Sequence, residues 1–340
     1  MTPHDQPEWF WHLLTSEDEG GATSFLRTHP SWTLDWGIPR SSGATGAAQQ
    51  QTAETFGFKW TKRETFEDFA QTFTGTWLRE KYGVFASLDF LKDSAEPPLV
   101  VDAGCGAGMS GLVFFESRLN EIRYLGVDVS TAVNVASERF RERGHRVGLL
   151  QCDLCEVPIP RGVADVIFSE GVLHHTDDTF KSLASLAQLL KPNGLLMFYV
   201  YKSKGPIREF TDDFVRERVQ AMSHEEAWNK LMPLTRLGEA LGKLDVVVEV
   251  PEDVDLLGIP KGAIDVQRLF YWHVVKCFYR PDLTLDEMNH INFDWFVPSN
   301  ARRHTPEEVR AWCARLGLQI EHECIEEAGI TVVARLKRSL

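Results

Sequence analysis

Between Leu99 and Tyr201 the apolar and polar positions follow a regular order. "LVVDA" is a short unbroken apolar run, which predicts a strand buried on both faces. "GMSGLVFFESRL" predicts the helix after it, and "RYLGVDVS" a second strand. "STAVNVASERFRERG" puts Val133, Ala136 and Phe140 on one face, opens on Ser130 or Thr131 as a cap and closes at Gly144, predicting a second helix. "RVGLLQC" and "ADVIFSE" predict strands three and four. "DDTFKSLASLAQLLKPNG" predicts a helix with Phe180, Leu183, Leu186, Ala187 and Leu190 inward, stopped by Pro192 and Gly194, and "GLLMFYVY" predicts strand five. Strand and helix alternating at such short intervals predict a parallel, doubly wound α/β sheet.

The flanks are less regular. Residues 1–95 are rich in aromatics (Trp9, Phe10, Trp11, Trp32, Trp36, Phe56, Phe58, Trp60). Within them "GIPRSSGATGAAQQQT" reads as a loop or linker. "RETFEDFAQTFTGTWLREKYGVFASLDFLKD" reads as helical, with Phe66, Phe69, Phe73, Trp77 and Leu78 at three- and four-residue steps. Residues 202–304 far exceed a connection of about 2–6 residues, which predicts an inserted subdomain. "IREFTDDFVRERVQAM", "HEEAWNKLMPLTRLGEALGKL" and "KGAIDVQRLFYWHVVKCFYR" read as helices there, while "LDVVVEVPEDVDLLGIP" suits a strand or a loop. "HTPEEVRAWCARLG" predicts a last helix from the capping box Thr305-x-x-Glu308, with Pro306 in its first turn and Gly317 at its end. "LQIEHECIEE" and "GITVVARLK", joined tightly around Ala328-Gly329, predict an antiparallel pair. Four parts result: an extension (1–95), a core (96–201), an insertion acting as a lid (202–304), and a helix and strand pair completing the sheet (305–340).

Composition narrows the function classes. A net charge of -13 argues against a nucleic-acid partner, which would need a basic face. "YKSKGPIR" and "NARRH" read as solvated surface. No run of eighteen apolar residues predicts a membrane span, and "MTPHDQPEWFWHLL" lacks the basic start and long apolar core of a secretion signal, so the expected compartment is the cytoplasm. Of six cysteines only Cys152 and Cys155 are paired in a C-x-x-C, so no metal site is expected and the thiols read as reduced.

The chemistry concentrates in "VVDAGCGAGMSG". From Gly106 it reads G-x-G-x-x-G, a loop that holds the pyrophosphate of NAD; from Asp102 it reads D-x-G-x-G-x-G, a loop that holds S-adenosylmethionine. Either cofactor needs a buried strand ending in glycines and a helix N-terminus for an anion, and either would use Asp128 on ribose hydroxyls. The rest of the chain decides. Asp102, at the mouth of the loop, would repel a pyrophosphate and attract an ammonium or sulfonium. Asp153, in "CDL" after strand three, is placed to accept from an exocyclic amine of adenine, with Leu154 flanking the ring. "FSEGVLHHTDD" follows strand four, where a reacting group would be held, and the sheet ends in an antiparallel pair.

On these residues the chain resembles the class I S-adenosylmethionine-dependent methyltransferases of the broad small-molecule group. "VVDAGCGAG", "YLGVDVS", "LLQCDL", "DVIFSEGVLHHTDD" and "LLKPNGLLMFYVY" stand in the order and spacing of that group, over about a third of the chain. "FDWFVPSNARRHTPEEVRAWCARLGL" and "TAETFGFKW" resemble flanking elements of a subgroup met in polysaccharide and natural-product clusters. The resemblance implies a Rossmann-like seven-stranded sheet, mostly parallel with an antiparallel last strand. It implies that Gly104, Gly106 and Gly108 line the methionine end with Asp102 near the amino group. Asp128 would hold the ribose, Asp153 and Leu154 would frame the adenine, and Glu170 and Gly171 would face the methyl-bearing sulfur. S-adenosylmethionine is then the cofactor, S-adenosylhomocysteine the product, and no metal is required.

Several residues carry two readings. His174 and His175 suit a general base, or packing at a helix start. Asp177 and Asp178 read as caps of the helix after them. In the insertion Tyr271, Trp272, His273, Tyr279, Trp295 and His304 suit either a substrate pocket or a core, with Tyr271, Trp295 and His304 carried forward as substrate candidates. The expectation is methyl transfer to an oxygen, nitrogen or carbon of a small natural-product or sugar-like molecule, in a pocket built by the insertion and the aromatic extension. A protein or RNA methyltransferase and a non-catalytic cofactor-binding module are the alternatives, and no "NPPY"-like run follows strand four.

Overall fold

The computed structural model describes residues 3–15, 21–43, 46–61, 74–92 and 96–337. Part of the predicted helix that starts near residue 63, with Phe66, Phe69 and Phe73, lies outside the described residues. Its described part is α4 (Gly75–Tyr82), preceded in the extension by α1 (Glu8–Thr15), α2 (Ala22–Thr28), β1 (Trp32–Asp35), β2 (Ile38–Ser41) and α3 (Ala47–Thr61).

The core alternates as the pattern requires: β3 (Leu99–Ala103), α5 (Met109–Phe115), β4 (Arg123–Asp128), α6 (Val133–Glu142), β5 (Gly148–Gln151), β6 (Ala164–Glu170), α7 (Thr179–Ala187) and β7 (Leu190–Tyr201). The insertion holds α8 (Pro206–Val219), α9 (His224–Gly242), β8 (Val247–Val250), β9 (Gly262–Asp265), α10 (Val266–His273) and α11 (Leu285–Phe296). α12 (Pro306–Arg315), β10 (Leu318–Ile325) and β11 (Gly329–Leu336) close the chain.

Among the described residues, nine of the eleven strands form one sheet in the order β1-β2-β5-β4-β3-β6-β7-β11-β10, where seven were expected, and β8 and β9 pair separately. β5, β4, β3, β6 and β7 run parallel, and β11 is antiparallel to both β7 and β10. The two extra strands are a hairpin from the extension, docked on β5 by one parallel pairing of Arg40 with Gln151. Its turn is Trp36-Gly37, both at positive φ (52° and 77°), the geometry a two-residue hairpin turn needs. The start of the stretch read as a linker is therefore strand β2, and its "AAQQQT" begins α3.

The period-two alternation of β3 sorts its residues between two cores. Leu99, Val101 and Ala103 join a cluster with Leu125, Leu183, Leu186 and Val309, while Val100 joins the opposite cluster with Leu112, Phe115, Tyr124 and Phe168. Asp102 follows Val100 in register, so its carboxyl is directed to the face covered by α5 and Tyr124.

Local chemistry departs from expectation at two helix starts. Ser130 does not cap α6; its N–H and hydroxyl both donate to Asp128. "KGAIDVQRLFYWHVVKCFYR" is not one helix: β9 pairs with β8, Asp265 caps α10, and residues 274–280 run without helix. Elsewhere the caps match more closely, with a reciprocal Thr305–Glu308 box on α12 and Asp178 accepting from the Lys181 N–H on α7, although Asp177, also read as a cap, instead accepts from the Asn300 side-chain amide. No described helix is long and apolar enough to cross a membrane.

Candidate active site

The glycine loop joins β3 to α5 and needs its glycines for definite reasons. Gly104, Gly106 and Gly108 lie at φ 86°, 51° and 78°, conformations costly for other residues. A Cβ at Gly104 would also collide with the Val172 side chain. The Gly104 and Cys105 N–H groups donate to the Val127 carbonyl at 2.7 and 2.9 Å, tying the loop to the end of β4. Asp128 tightens that tie: its carboxylate accepts from the Gly106 N–H at 2.8 Å and from the Ser130 N–H and hydroxyl at 2.8 and 2.7 Å.

Asp102 is 2% exposed and accepts a hydrogen bond from the Tyr124 hydroxyl. Burial pushes its carboxyl up to about 7, and the neighbouring charges of Asp128 and Glu170 push the same way. Gly111, the third glycine of the G-x-G-x-x-G, makes this contact possible, because a Cβ there would meet both Tyr124 and Asp102. Burial raises Asp128 too.

Glu170, at the end of β6, is held differently. Lys81 pairs with one oxygen, and the Tyr82 hydroxyl donates to the other at 2.8 Å. The Lys81 ammonium is enclosed, 3.5 Å from the centre of the Trp77 ring and 4.1 Å from that of Tyr199, and burial lowers its pKa to about 8 although Glu170 opposes the shift. Three carboxylates thus converge on the loop. Among the described residues only Glu170 has a cation in contact; Asp102 and Asp128 meet neutral donors. Two like charges at 4 Å cost roughly 4 kcal/mol at an effective dielectric of 20, so this arrangement disfavours a pyrophosphate and favours a cation.

A cavity of about 360 Å³ opens over these groups. Asp102, Gly104, Gly106, Asp128, Asp153, Leu154, Glu170, Gly171 and His175 all belong to its wall. Asp153 spends one oxygen on the Cys155 N–H at 2.7 Å. Gly108 is not on the wall; it lies under α6, where a Cβ would press on Phe140. A second hollow, of about 570 Å³, shares Val129 and Asp153 with the first and runs between α3 and the end of β5.

The two histidines separate. The His175 Nδ1 is 2.6 Å from the Asn300 carbonyl, which can only accept, so Nδ1 carries the proton and Nε2 is the acceptor. Burial brings its pKa down to about 4, leaving the ring neutral at physiological pH. His174 is fully buried off the wall, stacked on Tyr201 with ring centres 3.6 Å apart, and neither ring nitrogen has a hydrogen-bond partner among the described residues. Its place suits packing, not proton transfer.

The insertion reaches the cavity with residues other than those expected. Tyr271, Trp295 and His304 are off the wall: Tyr271 packs by Arg208, the Trp295 indole N–H donates to Asp212 at 2.7 Å, and the His304 Nε2 is 3.0 Å from the Thr179 hydroxyl. Phe278, His290, Ile291 and Asp294 take their place; Asp294 lies one turn of α11 beyond the adjacent His290 and Ile291. The extension contributes Gln49, Thr52, Phe56 and Lys59 from one face of α3. Lys59 is 2.9 Å from Asp294, and that charge holds the Asp294 carboxyl down at about 2 despite burial. Gln51 and Thr52 fasten α3 to the chain after α11, accepting from the Ser299 and Asn300 N–H groups at 2.7 and 3.1 Å. None of these pairings leaves a local sequence signal, because each joins residues far apart in the chain.

Residues 101–198 match a family model described as a methyltransferase domain. The chain is 37% identical over 113 residues to an uncharacterized protein of Synechococcus, covering 32% of this chain and 26% of that protein. It is 33% identical over 98 residues to a ubiquinone biosynthesis O-methyltransferase of Bradyrhizobium, covering 29% of this chain and 38% of that one. The chain spans about a quarter to a half of the length of the curated relatives it matches. A crystal structure of a 1,6-didemethyltoxoflavin-N1-methyltransferase from Burkholderia thailandensis, with bound 1,6-didemethyltoxoflavin and S-adenosylhomocysteine, is similar with a TM-score of 0.41 at 16% identity, covering 90% of this chain and 98% of that one.

Proposed function

We propose, from the premise that the chain carries a class I S-adenosylmethionine-dependent methyltransferase domain, that the whole protein methylates a small aromatic or otherwise largely apolar acceptor. The observation that carries the reading is the convergence of Asp102, Asp128 and Glu170 on the glycine loop, beside a cavity that extends to α3 and α11.

The residues fit the cofactor. Asp102 supplies a buried carboxylate for an ammonium, and the positive-φ glycines let the backbone approach a carboxylate at the start of α5. Asp128 has lone pairs beyond those used by Gly106 and Ser130 and is the group for the ribose hydroxyls. Asp153 has one oxygen left that would accept from the adenine amine, and Leu154, on the same wall, would flank the ring. When bound, S-adenosylmethionine supplies a methyl group on a cationic sulfur that leaves as a thioether.

The protein's part is alignment and exclusion of water, worth about 7–11 kcal/mol when both partners are held in line. Phe56, Trp77, Tyr199, Tyr201 and Phe278 give the acceptor side aromatic walls. Glu170, fixed by Lys81 and Tyr82, presents a carboxylate that favours positive charge in the cavity. His175 offers Nε2 to an acceptor hydroxyl. With a pKa of about 4 it is a weak base, suited to taking the proton only as the oxygen acidifies during transfer.

Incubation of the intact protein with S-adenosylmethionine labelled in the methyl group, and with fractionated small-molecule extracts, tests the reading. Label should pass into a low-mass product. Stoichiometric cofactor binding with no transfer to any fraction would favour the cofactor-binding module, and label in protein or RNA would redirect the acceptor class.

A further inference from the structure

Where α3 and α11 meet, the cavity wall offers two lone-pair sites that the chain itself leaves open. Lys59 of α3 and Asp294 of α11 are both wall residues, joined at 2.9 Å through Asp294 Oδ1. Among the described residues nothing donates to Asp294 Oδ2, and the Asp294 side chain keeps 26% of its surface exposed. His175 is on the same wall, with its Nδ1 proton on the Asn300 carbonyl and its Nε2 lone pair unused. Neither atom is sealed in the interior without a partner, as both ring nitrogens of His174 are. Asp294 Oδ2 and His175 Nε2 therefore open on the cavity.

Phe56 links the two. It stands one turn before Lys59 on α3, its ring edge-on to that of His175 with centres 5.0 Å apart and its centre 5.4 Å from the Lys59 ammonium. His175 and Asp294 are near enough for each to feel the charge of the other. The helices that carry these groups are tied together: the Gln51 side-chain amide donates to the Val297 carbonyl at 3.0 Å, and its oxygen accepts from the Ser299 N–H at 2.7 Å. Both sites call for a donor. Against the effect of burial, the Lys59 charge holds the Asp294 carboxyl down at about 2, so it is ionised at any working pH. Burial brings His175 down to about 4, so its ring is neutral. A cationic guest is disfavoured at Asp294, because Lys59 already touches it and Lys276 adds to the positive field there. Neutral hydroxyl groups meet the demand at both places.

We propose that Asp294 is a specificity-determining residue whose Oδ2 accepts a hydrogen bond from a second hydroxyl of the methyl acceptor, while the hydroxyl that is methylated meets His175 Nε2. The proposal rests on the methyltransferase reading and names the acceptor class within it: an aromatic ring lying against Phe56 and carrying two hydroxyl groups.

Calorimetry on the intact protein saturated with S-adenosylhomocysteine tests it, with catechol, resorcinol and hydroquinone each compared with phenol. The wild type should bind at least one of the three about tenfold or more tightly than phenol, the scale of a hydrogen bond to a charged group, and the preferred isomer reports the spacing of the two sites. Lys59→Met/Asp294→Ala removes both members of the ion pair, so no buried charge is left alone; it should bring that isomer to the affinity of phenol while S-adenosylhomocysteine affinity stays unchanged. Lys59→Met keeps the carboxylate and should keep the preference, and it should also gain affinity for benzylammonium, which a purely structural ion pair would not confer. Equal binding of phenol and all three isomers, absence of binding by all four, a preference that survives in the double variant, or one lost in Lys59→Met overturns the proposal. Failure of the wild type to bind S-adenosylhomocysteine is a separate result and overturns the methyltransferase reading instead.

Discussion

Asp102 should make cofactor affinity depend on pH in a calculable way. In the free protein its carboxyl titrates near 7, because burial raises it and Asp128 and Glu170 add to the effect. A raised carboxyl pKa means that the folded state holds the proton more tightly than the unfolded one. Its contribution to stability is therefore greatest below pH 4 and is lost as pH rises to 7, by about 4 kcal/mol for a shift of about three units. An ammonium placed against Asp102 offsets that loss by favouring the ionised form. Binding then releases a proton at acid pH and weakens as pH falls. With a free value of 7 and a bound value back in the ordinary carboxyl range, the dissociation constant for S-adenosylhomocysteine should rise about 25-fold from pH 7.5 to 5.5. Calorimetry in two buffers of different ionisation enthalpy measures both the affinity and the proton released. Asp102→Asn should flatten the profile, with an affinity close to that of the wild type at its acid limit; any slope left in that variant reports Asp128, which burial also raises. A wild-type affinity that is flat, or that tightens toward acid, would refute the placement of a cation on Asp102.

Three further outcomes follow from the geometry. Asp128→Ala removes a carboxylate that holds Gly106 and Ser130 and is assigned to the ribose; S-adenosylhomocysteine should bind about 100-fold more weakly by calorimetry, the loss expected for two hydrogen bonds to a charged group. Lys81→Met leaves Glu170 buried without its cation and should cost about 3–5 kcal/mol of stability in urea denaturation, with Lys81→Met/Glu170→Gln recovering much of it. His175→Ala should lower kcat by about 10²–10⁴-fold for a hydroxyl acceptor with little change in cofactor affinity. Because burial depresses His175 to about 4, the ring is already an acceptor above that pH, so wild-type kcat measured at saturating cofactor should show no His175-dependent loss until pH approaches 4.

What could be read in advance was local. The strand-glycine-helix junction, Asp128 at the end of β4 and Asp153 after β5 are each announced by residues within one connection, and the parallel core follows from alternating apolar runs. The rest depends on distant parts of the chain meeting. Lys81 reaches Glu170 across 89 positions, and the tautomer of His175 is set by Asn300, 125 positions away. The hairpin of the extension escaped because four-residue strands are too short to show a period. Tyr271 and Trp295 looked like pocket aromatics, yet they pack on the buried arginine of α8, Arg208, whereas the cavity takes His290, Ile291 and Asp294 from α11.

Direct titration of the purified protein with S-adenosylhomocysteine and, separately, with NADH tests the central assignment most simply. One molecule of S-adenosylhomocysteine per chain should bind, with NADH giving no heat. Saturable NADH binding with no heat from S-adenosylhomocysteine would mean that the three acids at the glycine loop do not serve a cationic ligand.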